Sequence, residues 1–322
     1  MKEITILGST GSIGRSVLDI ISASPHKFSV AGLSTCENIE LLGEQVSKFN
    51  PKWVAIADEG KGEDFKKRFS GHLNEVFLGS EGIAELAEKK VDLVVVAIVG
   101  AAGTHPTLKA IRKGNNIALA NKEVLVIAGK ELIEEARRRR VRIFPLDSEH
   151  CAIFQMIENR KKEEVHKVIL TASGGPFYNL DVSKFASIRP EEALSHPVWE
   201  MGEKITVDSA TLMNKGFEVI AAKWLFDLDW DKIEVMLHPQ AIVHSLVEFI
   251  DGVTLALLAC PDMKGPIAYI LNYPERIRGE LKPTDLTKVS PLTFYAPDVK
   301  KFPSLQLAYS AGKIGGTMPA VL

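Results

Sequence analysis

Net charge is nearly absent from this sequence: 39 basic residues stand against 41 acidic ones, leaving −2 over 322 residues. A protein that holds nucleic acid through a broad positive field needs an excess of Lys and Arg, so no nucleic-acid partner is expected. The local exception, Arg137 to Arg140, falls in a helical pattern and reads as a solvated helix face. Cysteine is scarce as well. Cys36, Cys151 and Cys260 are odd in number and widely spaced, which excludes a disulfide framework and the paired spacing of a zinc site. That usage points to a reducing, cytoplasmic setting. Long apolar runs are missing too. The longest, residues 91–103, is too short to cross a membrane, and the N-terminus enters a strand pattern directly, with no signal peptide. Repeats and low-complexity tracts are absent.

What is present is an alternation of two periodicities. Short apolar runs at 4–7, 28–33, 53–57, 93–99, 117–120 and 142–146 are separated by helical patterns such as 12–22, 81–89 and 129–140. Strands interleaved with helices predict a parallel sheet covered on both faces. Residues 1–147 are therefore expected to form a doubly wound, Rossmann-like dinucleotide-binding domain in an α/β protein. After Cys151 the pattern changes. Strand-like runs at 165–171, 234–237, 241–250 and 253–258, with Asp251-Gly252 as a hairpin turn, surround one helix at about 210–226. This predicts a second, mixed α+β catalytic domain over 148–282. Residues 283–322 read as a linker followed by a short helical stretch, 305–311.

The segment Gly8-Ser-Thr-Gly11-Ser-Ile-Gly14 joins the first strand to the first helix. Glycines at such a junction let the backbone approach a pyrophosphate, which rests on the amides of the helix N-terminus. The end of the second strand selects between NAD and NADP in such folds. Here it reads Ser34-Thr35-Cys36-Glu37-Asn38, with hydroxyls, an amide and an acid but no Lys or Arg. These residues by themselves leave the choice open.

Asp147-Ser148-Glu149-His150 follows a predicted strand, where ligands collect in such sheets. In extended backbone Asp147 and Glu149 would point to one side and offer oxygen ligands to Mg²⁺ or Mn²⁺. As plain surface acids they would need no ion. Asn214 and Glu218, four apart, share a helix face with Lys215 beside it, and Ser209 is expected in the first turn of that helix. Three loop-like stretches add polar groups: Asn121-Lys122-Glu123, Ser173-Gly174-Gly175-Pro176, and His196 with Trp199 on a candidate lid.

Taken in order, GSTGSIG, AIVGAAG, LANKE, DSEH, SGGPF, HPVWEMG, DSATLMNKG.E and HPQAIVHS resemble the 1-deoxy-D-xylulose 5-phosphate reductoisomerase family along essentially the whole chain. That resemblance implies an NADPH-dependent enzyme that rearranges and reduces a phosphorylated ketose, giving 2-C-methyl-D-erythritol 4-phosphate for isoprenoid precursor synthesis. It implies that Thr10, Gly11, Ser12, Ile13, Asn38, Asn121, Glu123 and Gly202 contact NADPH. It assigns Asp147, Glu149 and Glu218 to a Mg²⁺ or Mn²⁺ ion. Lys122, Ser148, Glu149, Ser173, His196, Ser209, Asn214, Lys215 and Glu218 would surround the substrate, with Ser173, Ser209, Asn214 and Lys215 nearest its phosphate. Lys122, Asp147, Glu149, His196 and Glu218 would carry the catalysis, and His196, Trp199 and Met201 the closing flap. A homodimer through the second domain is also implied, as is a C-terminal helical domain of which 283–322 is only the start. Where the family has a glycine and a basic residue just before Asn38, this chain has Cys36 and Glu37. Two rival readings are a sugar-phosphate dehydrogenase without rearrangement and a catalytically silent nucleotide sensor.

Overall fold

The structure, a computed structural model, describes all residues except 70, 72, 74, 279, 280 and 282. The chain divides into two units, Met1–Asp147 with Ile267–Ile277, and Ser148–Pro266 with Arg278–Leu322.

The first unit is built on seven parallel strands: β1 (Lys2–Leu7), β2 (Phe28–Thr35), β3 (Trp53–Ile56), β4 (Glu75–Leu78), β5 (Leu93–Val96), β6 (Asn116–Leu119) and β7 (Ile143–Pro145). Their order is β4-β3-β2-β1-β5-β6-β7. The direction of winding reverses between β1 and β5, which pair from Ile4↔Leu93 to Leu7↔Val96. Ligands bind at such a switch point because the following loops diverge and leave a crevice. Ile4, Ile6, Leu7 and every residue of β5 are fully buried, because helices cover both faces. Each such side chain contributes on the order of 1.5–3 kcal/mol of hydrophobic stabilisation. The covering helices are α1 (Ser12–Ala23), α2 (Ile39–Phe49), α3 (Glu59–Arg68), α4 (Gly79–Ala87), α5 (Thr104–Arg112) and α6 (Glu123–Arg139).

Three sequence expectations for this unit change. The strand over 93–99 stops at Val96, and the chain turns at Gly100 with φ +70°. α6 starts at Glu123 rather than 129, its first turns set off by a kink at Ala128 (φ −139°, ψ 31°). β4, short and only partly buried, was not foreseen. The arginine cluster ends α6, with Arg138 and Arg139 paired to Glu135 at 2.7 and 2.9 Å.

The second unit holds a four-stranded sheet, β11-β10-β8-β9, from β8 (Val165–Ala172), β9 (Ile233–Leu237), β10 (Val243–Phe249) and β11 (Thr254–Leu258). The hairpin at Asp251-Gly252 places Gly252 at φ +84°, where a side chain is strained. Its helices are α7 (Ser148–Ile157), a short α8 (Pro190–Ala193), α9 (Glu203–Ala210), α10 (Met213–Phe226), α11 (Lys264–Asn272, which from Ile267 onward belongs to the first unit), a short α12 (Leu286–Val289) and α13 (Pro303–Ile314). Ile153 of α7, Val219 of α10 and Leu305 of α13 close over Val168, Leu170 and Val247 of the sheet. The helix expected at 210–226 is in fact two. Leu212 adopts a left-handed conformation, φ +60°, and separates α9 from α10.

The uninterrupted block 148–282 also requires correction. Residues 267–277 return to the first unit, where Lys2 Nζ donates to the Leu271 carbonyl at 3.1 Å and Tyr273 packs on Phe144 and Arg142. The far limit of that block, residue 282, lies outside the described residues.

Candidate active site

In the first unit, the loop after β1 is tight because backbone replaces side chains there. Gly8 has φ +88°, and a Cβ on it would lie 2.7 Å from the Ala97 carbonyl; one on Gly14 would lie 2.3 Å from the Gly8 oxygen. Side-chain bonds lock the loop. Ser34 Oγ accepts from Gly8 N at 3.0 Å, Ser9 Oγ donates to Gln45 Oε1 at 2.7 Å, and the Thr10 and Thr35 hydroxyls share a 2.7 Å bond. α1 then opens with Gly11 as its N-cap, so Ser12 and Ile13 begin a helix whose first amides carry no side-chain cap. Asn38 caps α2 by accepting from Leu41 N at 3.2 Å. After β6, Asn121 is buried and its Nδ2 donates to the carbonyls of Ile98 and Gly100, whereas its Oδ1 has no partner. Glu123 stands in the first turn of α6. Gly202, exposed, is the N-cap of α9 in the second unit.

The carboxylates converge. Asp147, Glu149 and Glu218 each bring an oxygen, and these lie within 4.8 Å of one another. The reason differs from the expected one. Glu149 is in the first turn of α7, not in extended backbone, and that turn is bolted down by Ser245 Oγ donating to the Glu149 carbonyl at 3.0 Å. A His150 ring nitrogen lies 2.8 Å from the Glu218 carbonyl. Two ammonium groups compensate the acids: Lys122 sits 2.5 Å from Asp147, and Lys215 bonds Glu149 at 2.7 Å and also Glu218. Asn214 Nδ2 donates to Glu218 Oε1 at 2.7 Å, and the Ser148 hydroxyl donates to Glu149. Lys122, Lys215 and Glu218 are buried. Burial without compensation would cost several kcal/mol per charge, so the pairing is what makes the cluster tolerable. Three oxygen donors suit a hard divalent cation such as Mg²⁺ or Mn²⁺.

The remaining predicted groups gather around a second loop. Gly174 and Gly175 have φ +89° and +69°, and a Cβ on Gly175 would meet the Ser209 carbonyl at 2.6 Å. The loop carrying Ser173 therefore lies on the end of α9, and Ser209 belongs to the last turn of that helix rather than the first turn of α10. His196 Nε2 is 2.9 Å from Ser173 Oγ, while its Nδ1 accepts from the backbone of Val198 and Trp199 at 3.1 and 2.9 Å. Those two donors place the imidazole proton on Nε2. Partial burial lowers the His196 pKa, so the ring is neutral near pH 7. Sequence reasoning gave no role to His244, which is buried in β10 with its ring 6.2 Å from that of Trp199. Burial lowers its pKa, and the nearby Glu149 pulls the other way. A histidine and a serine inside an otherwise apolar strand, Val243-His244-Ser245-Leu246-Val247, were the signal available.

A glycine-walled nucleotide loop on a doubly wound sheet, in a chain that also clusters oxygen ligands, places this protein among nucleotide- and cation-dependent oxidoreductases. Comparison with known proteins narrows the class. Residues 4–129 match the model of 1-deoxy-D-xylulose 5-phosphate reductoisomerase, and residues 143–226 and 258–322 match models of its C-terminal domains. Over its full length the chain is 51% identical to the reductoisomerase of Geotalea daltonii, covering 84% of it. It is 52% identical to that of Trichlorobacter lovleyi, covering 83%. The Zymomonas mobilis enzyme, solved with NADPH, superposes with a TM-score of 0.93 at 41% identity, over 99% of this chain and 83% of that one. A DOX-P reductoisomerase solved with NADPH, fosmidomycin and magnesium gives 0.93 at 41%, over 98% and 80%. The chain belongs to the 1-deoxy-D-xylulose 5-phosphate reductoisomerase family.

Proposed function

We propose that the chain converts 1-deoxy-D-xylulose 5-phosphate to 2-C-methyl-D-erythritol 4-phosphate, with NADPH as reductant and Mg²⁺ or Mn²⁺ held by Asp147, Glu149 and Glu218. The convergence of Glu218 with Asp147 and Glu149, from two separate stretches of sequence, carries this reading. The glycine walls at Gly8 and Gly14 and the unsatisfied Asn121 Oδ1 fit a nucleotide, with Thr10, Gly11, Ser12, Ile13, Asn38, Glu123 and Gly202 as its further contacts. The nicotinamide supplies a hydride when bound. The divalent ion supplies Lewis acidity for charge that develops as the carbon skeleton breaks and rejoins.

The chain's own residues do the positioning. Lys215 and Asn214 hold the Glu218 carboxylate from two sides, and Lys122 holds Asp147. Three carboxylates and two ammonium groups leave one net negative charge, which a divalent cation inverts in favour of an anionic substrate. His196 donates from Nε2 to Ser173, which leaves the serine proton free for a phosphate oxygen. Ser209 stands beside that loop. Phosphate binding remote from the reacting carbons orients the substrate, and the segment with His196, Trp199 and Met201 excludes water when it closes.

The test is Glu218→Gln. DXP-dependent NADPH oxidation should fall at least about 10³-fold, Mn²⁺ binding read by EPR should weaken, and NADPH affinity should stay within about threefold. Normal turnover in that variant refutes the ligand assignment. NMR of the wild-type product separates rearrangement from simple reduction.

The same reading includes a homodimer in the cytoplasm, with no membrane or nucleic-acid partner. In support, no described helix is long and apolar enough to cross a membrane, and Ile250 and Val253, at the hairpin leading into the edge strand β11, are 69% and 52% exposed. Light scattering should report twice the mass of 35.3 kDa; a monomer at micromolar concentration ends the dimer assignment.

A further inference from the structure

The end of β2 carries an arrangement that the nucleotide loop does not explain. Glu37, 67% exposed, is paired with Lys61 at 2.8 Å, across 24 residues of sequence. The pairing follows from backbone geometry. Ala57 N donates to the Thr35 carbonyl at 3.1 Å and Asp58 N to the Cys36 carbonyl at 2.9 Å, which ties the turn before α3 to the end of β2. Asp58 then caps α3 by accepting from Lys61 N at 2.9 Å, setting Lys61 in the first turn. The neighbouring cation, Arg68, is held by Glu40 in a two-pronged pair at 2.7 and 3.0 Å.

In doubly wound nucleotide domains this strand end reads the adenosine ribose: an acid accepts from the 2′-hydroxyl of NADH, whereas a cation binds the 2′-phosphate of NADPH. Here both kinds of group are present and bonded to each other. A mobile ammonium on a solvated pair can change partners at small cost, because exposed ion pairs are weak. A 2′-phosphate carries more charge than a carboxylate and attracts the ammonium more strongly.

We propose that Lys61 is the 2′-phosphate ligand of this chain and that Glu37 competes for it, so the pair sets a shallow preference between NADPH and NADH. With NADPH bound, Lys61 leaves Glu37 for the phosphate, and the freed carboxylate repels that phosphate. With NADH bound, Glu37 accepts from the ribose hydroxyl. The proposal rests on the nucleotide site described above.

Dissociation constants for NADPH and NADH, read by nicotinamide fluorescence without substrate, test it directly. Wild type should separate the two nucleotides by less than about tenfold. Lys61→Met should weaken NADPH by tenfold or more and leave NADH within threefold. Glu37→Gln should tighten NADPH by about three- to tenfold and weaken NADH. These opposite movements are beyond a structural effect, and both side chains lie on the surface, so circular dichroism should stay unchanged. Equal losses for both nucleotides in Lys61→Met, or no loss for either, overturn the proposal while leaving the site's nucleotide binding intact. If wild type binds neither nucleotide, the nucleotide site itself falls, and this proposal with it.

Discussion

Two groups of ion pairs in this protein use the same chemistry in opposite surroundings. Glu149, Glu218 and Lys215 meet where Lys215 and Glu218 side chains are 3% and 1% exposed. Glu37, Glu40, Lys61 and Arg68 meet where each side chain is at least 46% exposed. In the first place water cannot screen or replace a lost partner, so the charges fix one another's positions. In the second place water can do both, so the pairs are free to exchange. The dry cluster holds one geometry, and the wet one can change partners.

The largest effect that would break this contrast is on stability. Lys215→Met strands two carboxylates in the dry cluster and should cost on the order of 3–5 kcal/mol. Urea denaturation measures it, and a loss of under about 1 kcal/mol would remove the distinction between the two groups. His196, half-buried, lies between the extremes. Its pKa is lowered by burial, so a solvent-exposed His196 ring would bind a proton more readily than the ring in this packing. The packing around His196 should therefore be fully favoured above the ordinary pKa and lost as pH falls through the lowered one, because a proton on Nδ1 would face the backbone donors of Val198 and Trp199. Following the His196 ring proton by NMR against Trp199 fluorescence checks this. Identical transitions in His196→Gln would show that another group controls the packing of this segment.

The doubly wound sheet was legible because its strands are near-continuous apolar runs, and β5 has no exposed residue to blur the pattern. The acids were legible as candidates, but their convergence was anticipated for the wrong reason. Apolar periodicity does not report that Ser148 starts a helix directly after Asp147. Nor does it report a left-handed Leu212, since leucine has no intrinsic preference for that conformation and only tertiary contacts hold it there. The partner of Glu37 was out of reach as well. Lys61 is brought to it by two backbone bonds between adjacent strand ends, and nothing in the intervening residues announces them.

The interruption at Leu212 decides which side chains can cooperate. At 3.6 residues per turn, a continuous helix would set Ser209 and Glu218 half a revolution apart, one facing away from the other. Starting a new axis at Met213 cancels that phase relation. A hydroxyl and a carboxylate can then be drawn from a single ten-residue stretch without competing for one side of a cylinder.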